Sequence, residues 1–163
     1  MEKPIRTQEI ACGKASRQDI ETQTLRRFIE NSGADFDIKF VAYPEENDPC
    51  DIVYNIGRYQ VTEGDSAFLE RMRPVTAKRE EFSEIRHITP ETYANDLLGS
   101  SLEKKKYKSD KTIILLIDCR CTGGFSLNKR EAIYKKYLAE HPQQASSWLS
   151  AFCVFSDGNV KVF

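Results

Sequence analysis

The chain reads as an α/β protein in which a mixed central sheet is flanked by helices. Three observations predict it: short alternating strand patterns between residues 36 and 62, an unbroken apolar run at 113–117, and apolar residues at helical spacing in three other stretches.

Ser16 followed by Asp19 has the spacing of a helix-opening cap, and Leu25, Phe28 and Ile29 recur at helical intervals until Gly33 offers a stop, which predicts a helix over 17–32. FDIKFVAY at 36–43 alternates and is rich in β-formers, so it reads as a strand closed by Pro44. DIVY at 51–54 and YQVT at 59–62 are two further strands, joined through 55–58 with Gly57 available for a positive φ. The three make a meander. Between Glu63 and Ile88, Phe68, Leu69 and Met72 outline a short helix interrupted by Pro74, and the charged remainder reads as helix or loop. Thr89 then caps, Pro90 suits a first helical position, and Leu97, Leu98 and Leu102 form an apolar stripe, which predicts a helix over 90–107.

KTIILLIDC at 111–119 has the length of a strand and no polar alternation, the mark of a central strand covered on both faces. LNKREAIYKKYLAEH carries Leu127, Tyr134, Tyr137 and Leu138 on one helical face, and SAFCVF with NVKVF make a last hairpin through Asp157, Gly158 and Asn159. The order is α-β-β-β-α-β-α-β-β. Without an internal repeat, low-complexity tract or linker, residues 1–163 read as a single domain.

With 163 residues, 40% of them hydrophobic, the chain can build one core. Its 24 lysines and arginines against 25 acids give a net charge of -1, which excludes a uniformly basic nucleic-acid sleeve. Two local basic runs remain, KKKYK at 104–108 and NKREAIYKK at 128–136. No apolar run approaches the roughly 20 residues that span a bilayer, the opening residues are polar, and the five cysteines are odd in number. A reducing cytoplasm without membrane association is the expectation. Cys119 and Cys121 form a CxC, but no second pair completes four zinc ligands, and buried thiols account for them more simply. His87 and His141 read as exposed loop residues, and Trp148 as core or rim.

The chemistry-bearing residues gather at the meander. Pairing Tyr54 with Tyr59 and Ile52 with Val61 makes one face of the hairpin apolar; it sets Asp51 opposite Thr62, and Val53 opposite Gln60, on the other. A carboxylate among such oxygens suits a hard divalent cation, with solvent exposure as the plain alternative. Glu21, four residues before Leu25 and seven before Phe28, falls on the core-facing stripe of the first helix, where a carboxylate is unexpected; Glu30 falls off it. A separate reading takes LLIDCRCTGG as a strand and ligand loop with Asp118 at the strand's carboxyl end, although no GxGxxG or P-loop accompanies it.

Over about residues 16–120 this pattern resembles the PD-(D/E)xK nuclease superfamily, whose members place an acid on the first helix, an aspartate at the start of the second strand and (D/E)xK on the third. The resemblance implies a restriction-endonuclease-like α-β-β-β-α-β core, here followed by a C-terminal helix and β-hairpin. It implies that Glu21 is the helix acid, Asp51 the PD aspartate with Cys50 in place of proline, Gln60 the (D/E) and Thr62 the lysine. YQVTEG and SLEKKKYKSDKTIILLID resemble a divergent branch whose lysine comes from the second core helix, so Lys104, Lys105 or Lys106 would supply it, Lys104 being favoured. Glu63 would substitute as a carboxylate only through a bulge. The implied activity is magnesium- or manganese-dependent phosphodiester hydrolysis of DNA or RNA, with Glu21, Asp51 and the Gln60 oxygen as metal ligands. Gln60 lends no charge, and Thr62 cannot replace an ammonium. Those two departures also fit a nuclease-like binding module for nucleic acid, a protein partner or a second copy of the chain.

Overall fold

The computed structural model describes residues 16–64, 98–119 and 127–163. Helix α1 spans Arg17–Asn31, opened by Ser16, whose hydroxyl accepts from the Asp19 amide at 3.2 Å and donates to the Asp19 carboxylate at 2.6 Å. The chain leaves the helix through Gly33, whose φ of 86° lies in the left-handed region.

Six strands lie side by side in chain order: β1 (Val41–Ala42), β2 (Ile52–Tyr54), β3 (Gly57–Glu63), β4 (Ile113–Asp118), β5 (Ser150–Phe155) and β6 (Gly158–Lys161). The first three pair antiparallel, β3, β4 and β5 pair parallel, and β5 and β6 close as an antiparallel hairpin. Parallel neighbours need crossovers, and α2 (Ser100–Lys105) and α3 (Leu127–Glu140) lie within them. The protein is therefore α/β, with a six-stranded mixed sheet and three helices among the described residues.

Side-chain alternation divides the core between the two sheet faces. Leu25 and Ile29 of α1 pack with Tyr59, Val61, Leu116 and Val154. On the opposite face Leu98, Leu102, Tyr134 and Tyr137 pack with Leu115, Ile117, Cys153 and Phe155. Leu115, Leu116 and Ile117 are fully buried, so each contributes about 1.5–3 kcal/mol through burial; β4 is covered on both sides, as its uninterrupted apolar run predicts. The carboxyl end of α1 is tied to the last hairpin by Asn31, which donates to the Phe155 carbonyl at 2.9 Å, and by Asn159, which donates to the Phe28 carbonyl at 2.8 Å.

Several elements differ from expectation. Residues 36–43 do not form one strand: Asp37 accepts from the Lys39 amide at 3.0 Å and turns the chain into a short 3-10 helix at Ile38–Phe40, leaving two residues to pair with β2. The β2–β3 register is Ile52 with Tyr59 and Tyr54 with Gly57, not Tyr54 with Tyr59. The turn is thus two residues, Asn55 and Ile56, and the positive φ of 55° falls on Asn55, not on Gly57. Of the helix expected over 90–107, the described part runs as α2 and then tightens into a 3-10 turn at Lys106–Lys108.

His141 is half-buried rather than exposed, stacked on Tyr137 at 4.3 Å between ring centroids. Trp148 is core. The short helix expected near Phe68, His87, and the cap at Thr89 and Pro90 lie outside the described residues, as do Cys12 and Cys121 of the CxC pair. Cys50, Cys119 and Cys153 are buried. Among the described residues no helix is long and apolar enough to cross a membrane.

Candidate functional site

A cleft of about 490 Å³ opens at the carboxyl ends of the parallel strands β3 and β4. Arg17, Ile20 and Glu21 from the first turns of α1 form one wall; Lys104, Lys105 and Tyr107 form the other, and Val61, Thr62, Glu63 and Asp118 supply the floor and rim. Parallel strands expose their C-terminal ends on the same side, which places Glu63 beside Asp118 in register.

Asp51 reaches this region from the start of β2. One carboxylate oxygen, Oδ2, accepts from the Val61 amide at 3.0 Å and from the Gln60 side-chain nitrogen. The other, Oδ1, faces Arg17 Nη2 and Lys108 Nζ, each 3.9 Å away. Arg17 also donates through Nε to Glu21 Oε1 at 2.9 Å, so a single guanidinium touches both acids. Glu21 is 8% exposed. Burial raises its pKa above the usual carboxylate value, the nearby Asp51 charge raises it further, and Arg17 only partly offsets the two.

Lys105 is 6% exposed and faces the same acids across the cleft. Burial lowers its pKa, the Asp51 charge works against that, and Arg17, Lys108 and Lys104 push it down again. Lys104 lines the cleft from an exposed position, and Lys106 is exposed. Of the three candidate lysines, Lys105 is the one held inside.

Gln60 and Thr62 share the sheet face opposite to Tyr59 and Val61 and are both buried. Gln60 presents its amide nitrogen to Asp51, because its oxygen would meet the carboxylate with like charge. As placed, it orients the acid, and its Oε1 is buried without a hydrogen-bond partner among the described residues. The Thr62 hydroxyl is in the same condition, on the cleft floor. Glu63 is exposed at the rim.

Glu21, Asp51, Gln60 and Thr62 are thus brought together from α1, β2 and β3. Two residues of the site went unweighted in the sequence, and a third was assigned to a different site. Arg17 carried a signal, since it stands four residues before Glu21, the spacing of a helical ion pair. Tyr107 was legible only as part of a basic run. Asp118, read above as belonging to a separate ligand loop, lines this same cleft, with Arg27 Nη1 3.5 Å from its Oδ1. Among the described residues no group of three or more histidines, cysteines, aspartates or glutamates is arranged to hold a metal ion. No protein-family model, curated protein or solved structure matches the chain.

Proposed function

We propose that the chain is a divergent PD-(D/E)xK-type domain with a restriction-endonuclease-like core, acting as a divalent-metal-dependent phosphodiesterase on nucleic acid. The observation that carries this is the meeting of Glu21 and Asp51, far apart in sequence, close enough for one charge to raise the other's pKa and for Arg17 to touch both. Carboxylates held under mutual repulsion in a cleft make a site that a cation relieves. The meander followed by a parallel strand, with a helix acid on one side and a lysine helix between the strands, is the arrangement the resemblance implies.

The donor set fits magnesium. That ion commonly takes one or two carboxylates and keeps several waters, so two acids beside an open cleft are enough. Glu21 and Asp51 would hold it, and the Gln60 oxygen would join them only with its amide turned over. When bound, the cation supplies a water of lowered pKa and neutralises charge on the phosphate. The remaining work falls to the chain's own groups. Gln60 and the Val61 amide fix the Asp51 carboxylate, and Lys105 brings the ammonium that Thr62 lacks to the charge developing on phosphate. Arg17, mostly exposed, is free to exchange its contacts with the acids for a phosphate oxygen.

The test is incubation of the purified protein with plasmid, single-stranded DNA and RNA, in magnesium, in manganese and in chelator, beside Glu21→Ala and Asp51→Ala. Metal-dependent cleavage lost in both variants is expected; no cleavage of any substrate in either metal overturns the reading. A second reading, a nuclease-like binding module for nucleic acid or a protein partner, draws on Arg17 and Lys108, which already counter the acids without a metal. Binding without cleavage is its signature.

A further inference from the structure

Glu21 lines a recess, Asp51 borders it through Arg17, and an exposed aromatic ring stands on its wall. Side-chain exposure is 11% for Glu21 and 10% for Asp51, whereas Tyr107 is 79% exposed on the cleft wall. A recess of about 490 Å³ matches the volume of small-ligand sites, so it admits about one or two nucleotides and not a double helix. A phosphodiester that enters it to meet Glu21, beside Asp51, dips below the surface, and a strand that dips leaves its neighbouring base unstacked. A duplex keeps its bases stacked on one another and its backbone outside.

Lys108 connects the ring to the acid: its Nζ stands 6.0 Å from the Tyr107 ring centroid and 3.9 Å from Asp51 Oδ1. The ring centre is therefore no further from the carboxylate than those two distances laid end to end, within reach of adjacent nucleotides along a strand. A large exposed ring amid lysines gains little from packing on its own protein, and a base stacked on it gains both dispersion and, through Lys108, charge on the phosphate beside it.

We propose that the substrate class is single-stranded nucleic acid, with Tyr107 as the platform on which the base next to the scissile phosphate stacks. The proposal rests on the phosphodiesterase reading for its scissile phosphate, yet the stacking contact is measurable without any chemistry.

The test is fluorescence anisotropy in chelator with labelled single-stranded DNA, single-stranded RNA and the matching DNA duplex, using the wild-type chain, Tyr107→Ala and Tyr107→Phe. The wild type is expected to prefer either single strand over the duplex. Tyr107→Ala should weaken single-strand binding by about 5- to 150-fold, the range for loss of one base–aromatic stack, while leaving the salt dependence of binding unchanged because no phosphate contact is removed. Tyr107→Phe should restore it. Equal affinity for duplex and single strand, or Tyr107→Ala binding like the wild type, overturns the proposal. Because no metal is present, that failure leaves metal-dependent cleavage standing; conversely, Tyr107-dependent binding by a chain that never cleaves removes the phosphodiesterase reading alone.

Discussion

Replacing Asp51 separates what it does for the fold from what it does for a cation. In Asp51→Ala two donors lose their acceptor, the Gln60 amide, which is wholly buried, and the Val61 N–H. Each orphaned buried donor costs about 1–3 kcal/mol. Relief of the repulsion that raises the Glu21 pKa offsets part of this, so a net loss of about 3 kcal/mol is expected. Asp51→Asn keeps, in the place of Oδ2, one oxygen that accepts from both the Val61 amide and the Gln60 nitrogen, and turns its new NH2 toward Arg17 and Lys108, where only long contacts to mobile cations are lost. Its loss should stay below about 1 kcal/mol. Urea denaturation in chelator at neutral pH measures both. Repeated with magnesium at ten times its dissociation constant, the wild type should gain about 1.4 kcal/mol by linkage, and neither variant should gain anything comparable. Equal stability of the two variants would refute the hydrogen-bond assignment, and an undiminished magnesium effect in both would refute Asp51 as a ligand.

Glu21→Gln tests the buried acid. A carboxylate whose folded pKa is raised gives stability that is complete below its ordinary 4.5 and is lost as pH rises through the folded value, so the variant's stability relative to wild type should climb over that window; a difference flat from about pH 4 to 8 contradicts it. Lys105 has the opposite sign of shift, so the wild type should gain stability as pH rises from its folded value toward 10.5, and Lys105→Met should lack that rise in parallel urea titrations. The raised pKa of Tyr59 acts in the reverse direction above 10, but equally in both proteins, and cancels in the difference. Thr62→Val removes a hydroxyl that has no partner among the described residues, so thermal denaturation should show unchanged or higher stability, by up to about 1 kcal/mol.

The element order and the sheet faces were legible because apolar spacing encodes them directly. The β2–β3 register was not. Pairing Tyr54 with Tyr59 looks favourable on side chains alone, but Asn55 tolerates a left-handed backbone and permits the tighter two-residue turn, at the cost of leaving Ile56 fully exposed. The resulting shift is by an even number of residues, so every side chain kept its face, and Asp51 moved only from opposite Thr62 to beside Gln60. A shift of one would have turned Asp51 toward Leu25 and Ile29. The lysine was a matter of helical arithmetic: counted on from Leu98 and Leu102, the inward position is three residues past Leu102, which is Lys105 and not Lys104. The length of β1 was illegible because β-formers at an edge cannot outweigh one aspartate that bonds its own backbone.

What distinguishes the cleft from the rest of the molecule is that local rules fail there together. Elsewhere unmatched polar atoms occur singly, as at Arg130 Nε and Gln144 Oε1, while Asn31 and Asn159 lock α1 to the last hairpin and the rest of the Arg130 guanidinium lies 4.0 Å over the Phe155 ring and pairs with Asp157 at 2.9 Å. Within reach of Asp51, by contrast, a glutamate is buried against its preferred charge state, a lysine likewise, and two side-chain oxygens lie buried without partners among the described residues. Each departure costs stability, and apolar side chains of similar size would remove several of them at once. A fold under selection for stability alone would have made those replacements. Their concentration at the carboxyl ends of two parallel strands, between a helix N-terminus and a basic turn, is the reason to look for chemistry there first.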